Sequence, residues 1–301
     1  MAARFWRWML GCALLFALAA AAATAVAWSL SLAAALGLAL AVLLAEPLVV
    51  VLVSVLRARA AAPPAARAGL PDTLRTWVGE TVHFSAAVLA MSTDPHQRAQ
   101  VAAAGSGPPV LLIHGILCNR GVWGALPERV RAAGFGPVLA VNLEPLFADI
   151  EQQAAGVQPQ LLALHQLNQG ARVAVVGHSM GGLVARVLLR NLGPAVISRI
   201  VTVASPHHGT SLVAGMHWPD TQQMAEGSPW LRALNAAQEG QFGVPVVSIY
   251  SLEDNLVAPA ASARLQGAEL HELRGPGHLA MARSAPALDC IVAALAGAAA
   301  Q

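Results

Sequence analysis

Lysine is absent from this chain of 301 residues, and all eighteen basic residues are arginine. That absence excludes a Schiff-base lysine, a pyridoxal-phosphate lysine and a phosphate-loop lysine, whatever the fold. Charge of either sign is scarce: Asp, Glu, Lys and Arg together make up 11% of residues, against about 25% in an ordinary soluble domain. Cys12, Cys118 and Cys290 stand far apart, which leaves neither a disulfide framework nor a Cys-rich zinc site. One tyrosine, scattered arginines and a net charge of +2 give no nucleic-acid signature. What the chain has in excess is apolar residues, 56% of the total. Part of it is therefore expected in lipid, and its chemistry has to use serine, histidine and carboxylates.

Between Trp8 and Leu56 the sole charged residue is Glu46. A continuous helix over that stretch would be roughly 70 Å long, against a hydrocarbon core of about 30 Å. Two passes fit better: Met9–Ala27, a turn at Trp28-Ser29-Leu30-Ser31, and Leu32 to about Leu56, with Glu46-Pro47 kinking the second pass or ending it early. Arg4 and Arg7 precede the pair and Arg57, Arg59 and Arg67 follow it. The positive-inside bias then places both ends, and all that follows, on the cytoplasmic face of a bacterial-type inner membrane. Two rivals are a cleavable signal peptide ending near Ala25-Val26-Ala27 and a single anchor with a periplasmic catalytic part. Residues 1–59 are read as the anchor, 60–71 (rich in Ala and Pro) as a linker, and 72–301 as one domain of ordinary α/β size.

Within that domain, apolar runs alternate with helical spacing. Strands are expected at Pro109–Ile113, Pro137–Val141, Arg172–Val176, Ile200–Val203, Val244–Tyr250 and Ala268–Leu273. Helices are expected at Trp123–Ala133, Ile150–Leu167, Met180–Asn191 and Leu288–Ala296, with Asp72–Gln100 mainly helical. The alternation predicts an α/β fold, a mostly parallel sheet with helices on both faces. Such sheets place ligands beyond the carboxyl ends of their strands.

Gly177-His178-Ser179-Met180-Gly181 falls there, between the apolar run Val173–Val176 and a helix. A sharp strand-to-helix turn exposes a serine hydroxyl, and the helix N-terminus supplies N–H groups for a developing oxyanion. The serine needs a base, and the base an orienting carboxylate. His278 follows Arg274-Gly275-Pro276-Gly277 in a loop leaving the last strand, whereas His271 lies within that strand. Asp254, just past the strand ending near Tyr250, is the preferred carboxylate; Glu253 is the fallback and Asp220, in an irregular insert, comes third. The N–H groups of Met180 and of Ile116, in the turn His114-Gly115-Ile116-Leu117, are the expected oxyanion donors.

These segments, with Ala204-Ser205-Pro206-His207-His208-Gly209-Thr210 and Gly277-His278-Leu279, resemble the α/β-hydrolase superfamily over residues 108–285, in particular bacterial triacylglycerol lipases and related esterases. The order Ser179, Asp254, His278 matches that superfamily. The resemblance implies the α/β-hydrolase fold and a serine ester hydrolase needing no cofactor, with a lipid or other ester as substrate. The strands that often open that fold are missing. His207 and His208 are read as structural, because no partner carboxylate stands at ligand spacing. Residues 211–243, rich in Met and Trp, are either a lid over the site or a packed surface excursion. Two other functions compete: an acyltransferase using the same triad, and a non-catalytic membrane-anchored scaffold.

Overall fold

A computed structural model describes residues 2–28, 31–64, 67–93, 107–238 and 240–297. Helix α1 (Ala2–Trp28) and helix α2 (Leu32–Ala61) pack on each other through Ala17, Ala21, Ala35 and Ala39, small residues that let the two backbones approach. Both are long and apolar enough to cross a membrane. Ser29 and Leu30 of the expected turn lie outside the described residues; Ser31 caps α2, its hydroxyl accepting from Ala34 N. Pro47 lies inside α2, and the helix continues past it. Helix α2 ends at Ala61 and α3 (Leu70–Thr93) begins at Leu70, on either side of the Ala- and Pro-rich stretch; Ala65 and Ala66 lie outside the described residues.

Six strands follow: β1 (Val110–Ile113), β2 (Val138–Val141), β3 (Val173–His178), β4 (Ile197–Val203), β5 (Val246–Ser251) and β6 (Glu269–Leu273). They form one sheet in the order β2-β1-β3-β4-β5-β6, every neighbouring pair parallel. Buried on both faces, β1 and the first four residues of β3 read as continuous aliphatic runs, whereas the edge strand β6 is largely exposed and carries Glu269, His271 and Glu272. In β1, Val110 and Leu112 join one core with α3, α4 (Leu126–Ala132) and α9 (Ala285–Ala296). Leu111 and Ile113 join the other with α5 (Ile150–Leu167), α6 (Met180–Leu192) and α8 (Pro229–Gln238). This is the expected two-faced α/β architecture, the α/β-hydrolase fold.

The helix expected at Trp123–Ala133 is divided. A 3-10 turn covers Arg120–Trp123, and α4 starts only at Leu126, because Gly124 between them takes φ +51°. The segment 211–243 is more ordered than its composition implied, holding a 3-10 turn at Ser211–Val213, helix α7 (Pro219–Met224) and helix α8.

Candidate active site

Ser179 caps α6 at the end of β3 with φ 56° and ψ −127°, a conformation an L-residue rarely adopts. The motif's glycines make this turn possible. A Cβ on Gly177 would run into the Gly181 backbone, and one on Gly181 would run into the carbonyl of Ile113 at the end of β1. Gly115, in the turn after β1, lies against the serine: a Cβ there would stand 2.7 Å from Ser179 Cβ and 3.2 Å from its Oγ. Met180 N is the first N–H of α6, one of those a helix leaves without an intrahelical acceptor. Ile116 follows Gly115 in the same turn.

Asp254 and His278 are brought together across 24 residues. His278 Nδ1 lies 3.0 Å from both Asp254 oxygens, and both side chains are buried. Asp254 Oδ1 also accepts from the N–H groups of Leu256 and Val257, which fixes its orientation. Burial alone would lower the His278 pKa. The Asp254 charge, the hydrogen bond to it and the nearby Glu80 charge more than offset that, leaving the imidazole above its ordinary 6.5. The rings of His178 and His278 stand 4.7 Å apart, and His178 Nε2 lies 3.0 Å from the His278 carbonyl oxygen. This puts His278 next to the serine's chain neighbour. His278 bonds to Asp254 and, through its carbonyl, to His178, and no hydrogen bond joins it to Ser179 Oγ.

The other candidates go elsewhere. Glu253 Oε2 accepts from Gly275 N and Ser251 Oγ, and His271 Nε2 contacts Glu269 on its own strand. Asp220 is buried beside Met180, Ile116 and Gln153 in a small pocket, where its Oδ2 and Gln153 Oε1 both lack a hydrogen-bond partner. His207 Nε2 faces Thr202 Oγ1 and its Nδ1 faces Arg186, whereas His208 Nε2 faces the Arg264 carbonyl, so the two rings point to different surroundings. His114 bridges the Gly115 carbonyl and Leu143 N; burial lowers its pKa to about 4 and keeps it neutral. Burial, then the charge of His278, lower the His178 pKa to about 3.

Sequence reasoning missed Glu80. This carboxylate on α3 is fully buried, and its two oxygens accept from Leu279 N at 2.7 Å and Ala280 N at 2.9 Å, directly after His278. Burial pushes its pKa up to about 7, against the pull of those two N–H groups and of His278. Asn255 is a second missed residue. Its Oδ1 accepts from His278 N at 2.8 Å and its Nδ2 donates to Ser54 Oγ of α2 at 2.7 Å. A cavity of about 610 Å³ lies between the base of α2, the start of α3 and the β5–β6 side of the sheet, and Asp254 and Asn255 form part of its wall.

The parallel sheet and its strand-end turns are those of the α/β-hydrolase fold. Residues 80–270 match the family described as a domain of unknown function (DUF7379), and the chain belongs to that family. Among curated proteins there is no match. Among solved structures, the chain is similar to lipase B of Aspergillus fumigatus, at 21% identity and a TM-score of 0.57 over 67% of this chain and 55% of that one. It thus spans little more than half of that lipase. It is also similar to the mature form of Bacillus licheniformis lipase BlEst2, at 17% identity and TM-score 0.53, covering 66% of this chain and 96% of that one. A third similar structure is the Legionella pneumophila phospholipase PlaB in complex with thio-NAD, at 14% identity and TM-score 0.51, covering 62% and 58% of the two chains. At these identities the likeness is one of fold.

Proposed function

We propose that the protein is a membrane-anchored serine hydrolase that cleaves carboxylic esters of lipids through an acyl-enzyme. Ser179 attacks the acyl carbon and His278 takes its proton. Asp254 holds the imidazole in the right tautomer and stabilises the imidazolium. The N–H groups of Ile116 and Met180 receive the oxyanion. Collapse of the tetrahedral intermediate expels the alcohol, protonated by His278. Water activated by the same histidine then releases the acid. The observation that carries this reading is the buried Asp254–His278 pair beside a serine held on a strained strand-to-helix turn.

The lipid part of the reading draws on the two long apolar helices and on the lipases and the phospholipase that share the fold. Two contacts favour placing both helix ends and the catalytic residues on one side of the membrane. Trp6 Nε1 donates to the Leu117 carbonyl of the oxyanion turn, and Ser54 accepts from Asn255. Both lie near the arginine-bearing ends of α1 and α2, which fits a cytoplasmic catalytic domain. Ser179→Ala in the purified full chain is expected to abolish p-nitrophenyl ester hydrolysis and labelling by a fluorophosphonate probe. Undiminished labelling would assign the reactive nucleophile to another residue.

A further inference from the structure

Helix α3 carries a row of aliphatic side chains that no other described residue covers. Leu70, Leu74, Val78, Val82 and Leu89 are each 50% to 76% exposed. They fall on one face of the helix over roughly 28 Å, at about 1.5 Å per residue. An uncovered aliphatic row of this length is uncommon on a soluble surface and marks a site of contact. From Trp77 onward no exposed residue of α3 is charged; its exposed charges, Asp72 and Arg75, lie in the first two turns. The described residues hold two helices long and apolar enough to cross a membrane, α1 and α2, and α3 is not among them.

The order of faces around α3 identifies the occupant. One face holds Thr76, Glu80, Ala87 and Met91, all buried against the hydrolase domain. Thr76 Oγ1 donates to the Gly275 carbonyl and Glu80 receives Leu279 N and Ala280 N, so this face grips the loop that carries His278. The next face meets the two apolar helices. Trp77 Nε1 donates to the Leu48 carbonyl of α2, and Phe84 packs into the same cluster as Trp6 of α1. The aliphatic row comes next around the helix. It thus continues the outward apolar surface of α1 and α2, where Phe16, Val49, Val53 and Leu56 are similarly exposed. Arg57, Arg59 and Arg67 stand between the apolar part of α2 and the start of α3, and Arg75 lies in its second turn, which suits anionic headgroups.

We propose that the aliphatic face of α3 lies in the interface of an anionic bilayer while its opposite face holds the His278 loop, so that a single helix joins lipid contact to the position of the catalytic histidine. An interfacial helix of this kind buries its apolar face only to the headgroup–acyl boundary. The catalytic rim is then held at the depth where ester bonds of bilayer lipids lie. The inference rests on the anchor reading above.

The test uses the full chain with Cys12→Ser, reconstituted into vesicles of phosphatidylcholine and phosphatidylglycerol. A nitroxide is placed in turn on Val78→Cys, Val82→Cys and Leu89→Cys, on Val53→Cys in α2, and on Ala155→Cys, an exposed position of α5. The three α3 labels are expected to be relaxed by oxygen and shielded from a water-soluble nickel chelate, as at Val53 and unlike Ala155. Nickel access at all three α3 positions with Val53 still shielded overturns the α3 proposal alone. Nickel access at Val53 as well overturns the anchor reading with it. Shielding from both relaxants marks a protein partner and also overturns the proposal. In parallel, Val78→Glu with Val82→Glu should slow hydrolysis of a long-chain ester held in the vesicles by about tenfold while sparing a soluble short-chain ester, as loss of interfacial seating predicts. Equal loss on both substrates, or on neither, overturns it.

Discussion

Asp254→Asn keeps the shape of the side chain but exchanges one acceptor oxygen for a donor, so His278 Nδ1–H loses the partner that fixes its tautomer. The kcat for a soluble ester is expected to fall on the order of 10³- to 10⁴-fold with the fold intact, checked by steady-state kinetics beside circular dichroism. In the proposed mechanism the His278 imidazole, held above its ordinary pKa of 6.5, must be neutral to act as base. Hence kcat/KM should rise with pH along a limb centred above 6.5. Glu80→Gln removes one of the negative charges that raise this pKa, so the limb should move to lower pH. A role confined to packing would leave it in place. The amide also keeps only one acceptor oxygen for the two N–H groups of Leu279 and Ala280, a cost of about 1–3 kcal/mol. The folded pKa of Glu80, about 7, stands above its ordinary 4.5. Its protonated form therefore contributes stability that is fully present below 4.5 and is lost as pH rises through 7. The denaturation midpoints of the natural chain and of Glu80→Gln should accordingly converge between about pH 5 and about pH 8, because only the former gains a buried charge.

Strands and helices whose pattern is self-contained were legible from their residues. The expected span of α5 coincides with the observed one, because Asp149 caps it and Leu161 and Leu164 repeat on its buried face. Each of the six expected strands is present within a few residues. The turns at Gly115 and Gly177–Gly181 were legible for a related reason, since a turn this tight admits so few residue types. Glu80 was not legible. Its neighbours give an ordinary amphipathic spacing, and its partners lie 199 and 200 positions away. Only the docking of α3 turns a glutamate that reads as surface into a buried acceptor. Asn255 was hidden in the same way, next to a better-marked aspartate. Gly181→Ala tests the strand-to-helix turn itself. The added methyl meets the Ile113 carbonyl at the end of β1, so the elements must separate, at about 3 kcal/mol. A chemical-denaturation midpoint unchanged by that substitution would contradict the packing described.

Across the whole molecule, the two apolar helices contact the very segments that carry the proposed chemistry. Ser54 of α2 holds Asn255, which holds His278 N, and Trp6 of α1 holds the carbonyl after Ile116. Ser54→Ala is expected to lower kcat for a soluble ester about fivefold, the equivalent of one neutral hydrogen bond of about 1 kcal/mol. Carbonate extraction should meanwhile leave the variant in the membrane fraction, because the apolar length of α2 is unchanged. An unaltered kcat would show that the Ser54–Asn255–His278 connection is not used in turnover.

The bond from Trp6 to Leu117 spans 111 residues, and its donor emerges from the ribosome well before its acceptor. The turn after β1 therefore matures against a surface made earlier in synthesis. If the proposed function holds, a protease cutting the chain after Ala61 would not liberate a soluble esterase of full competence. The released part would have lost the Trp6–Leu117 and Ser54–Asn255 contacts, so on that reading shedding would weaken the activity as it dispersed it.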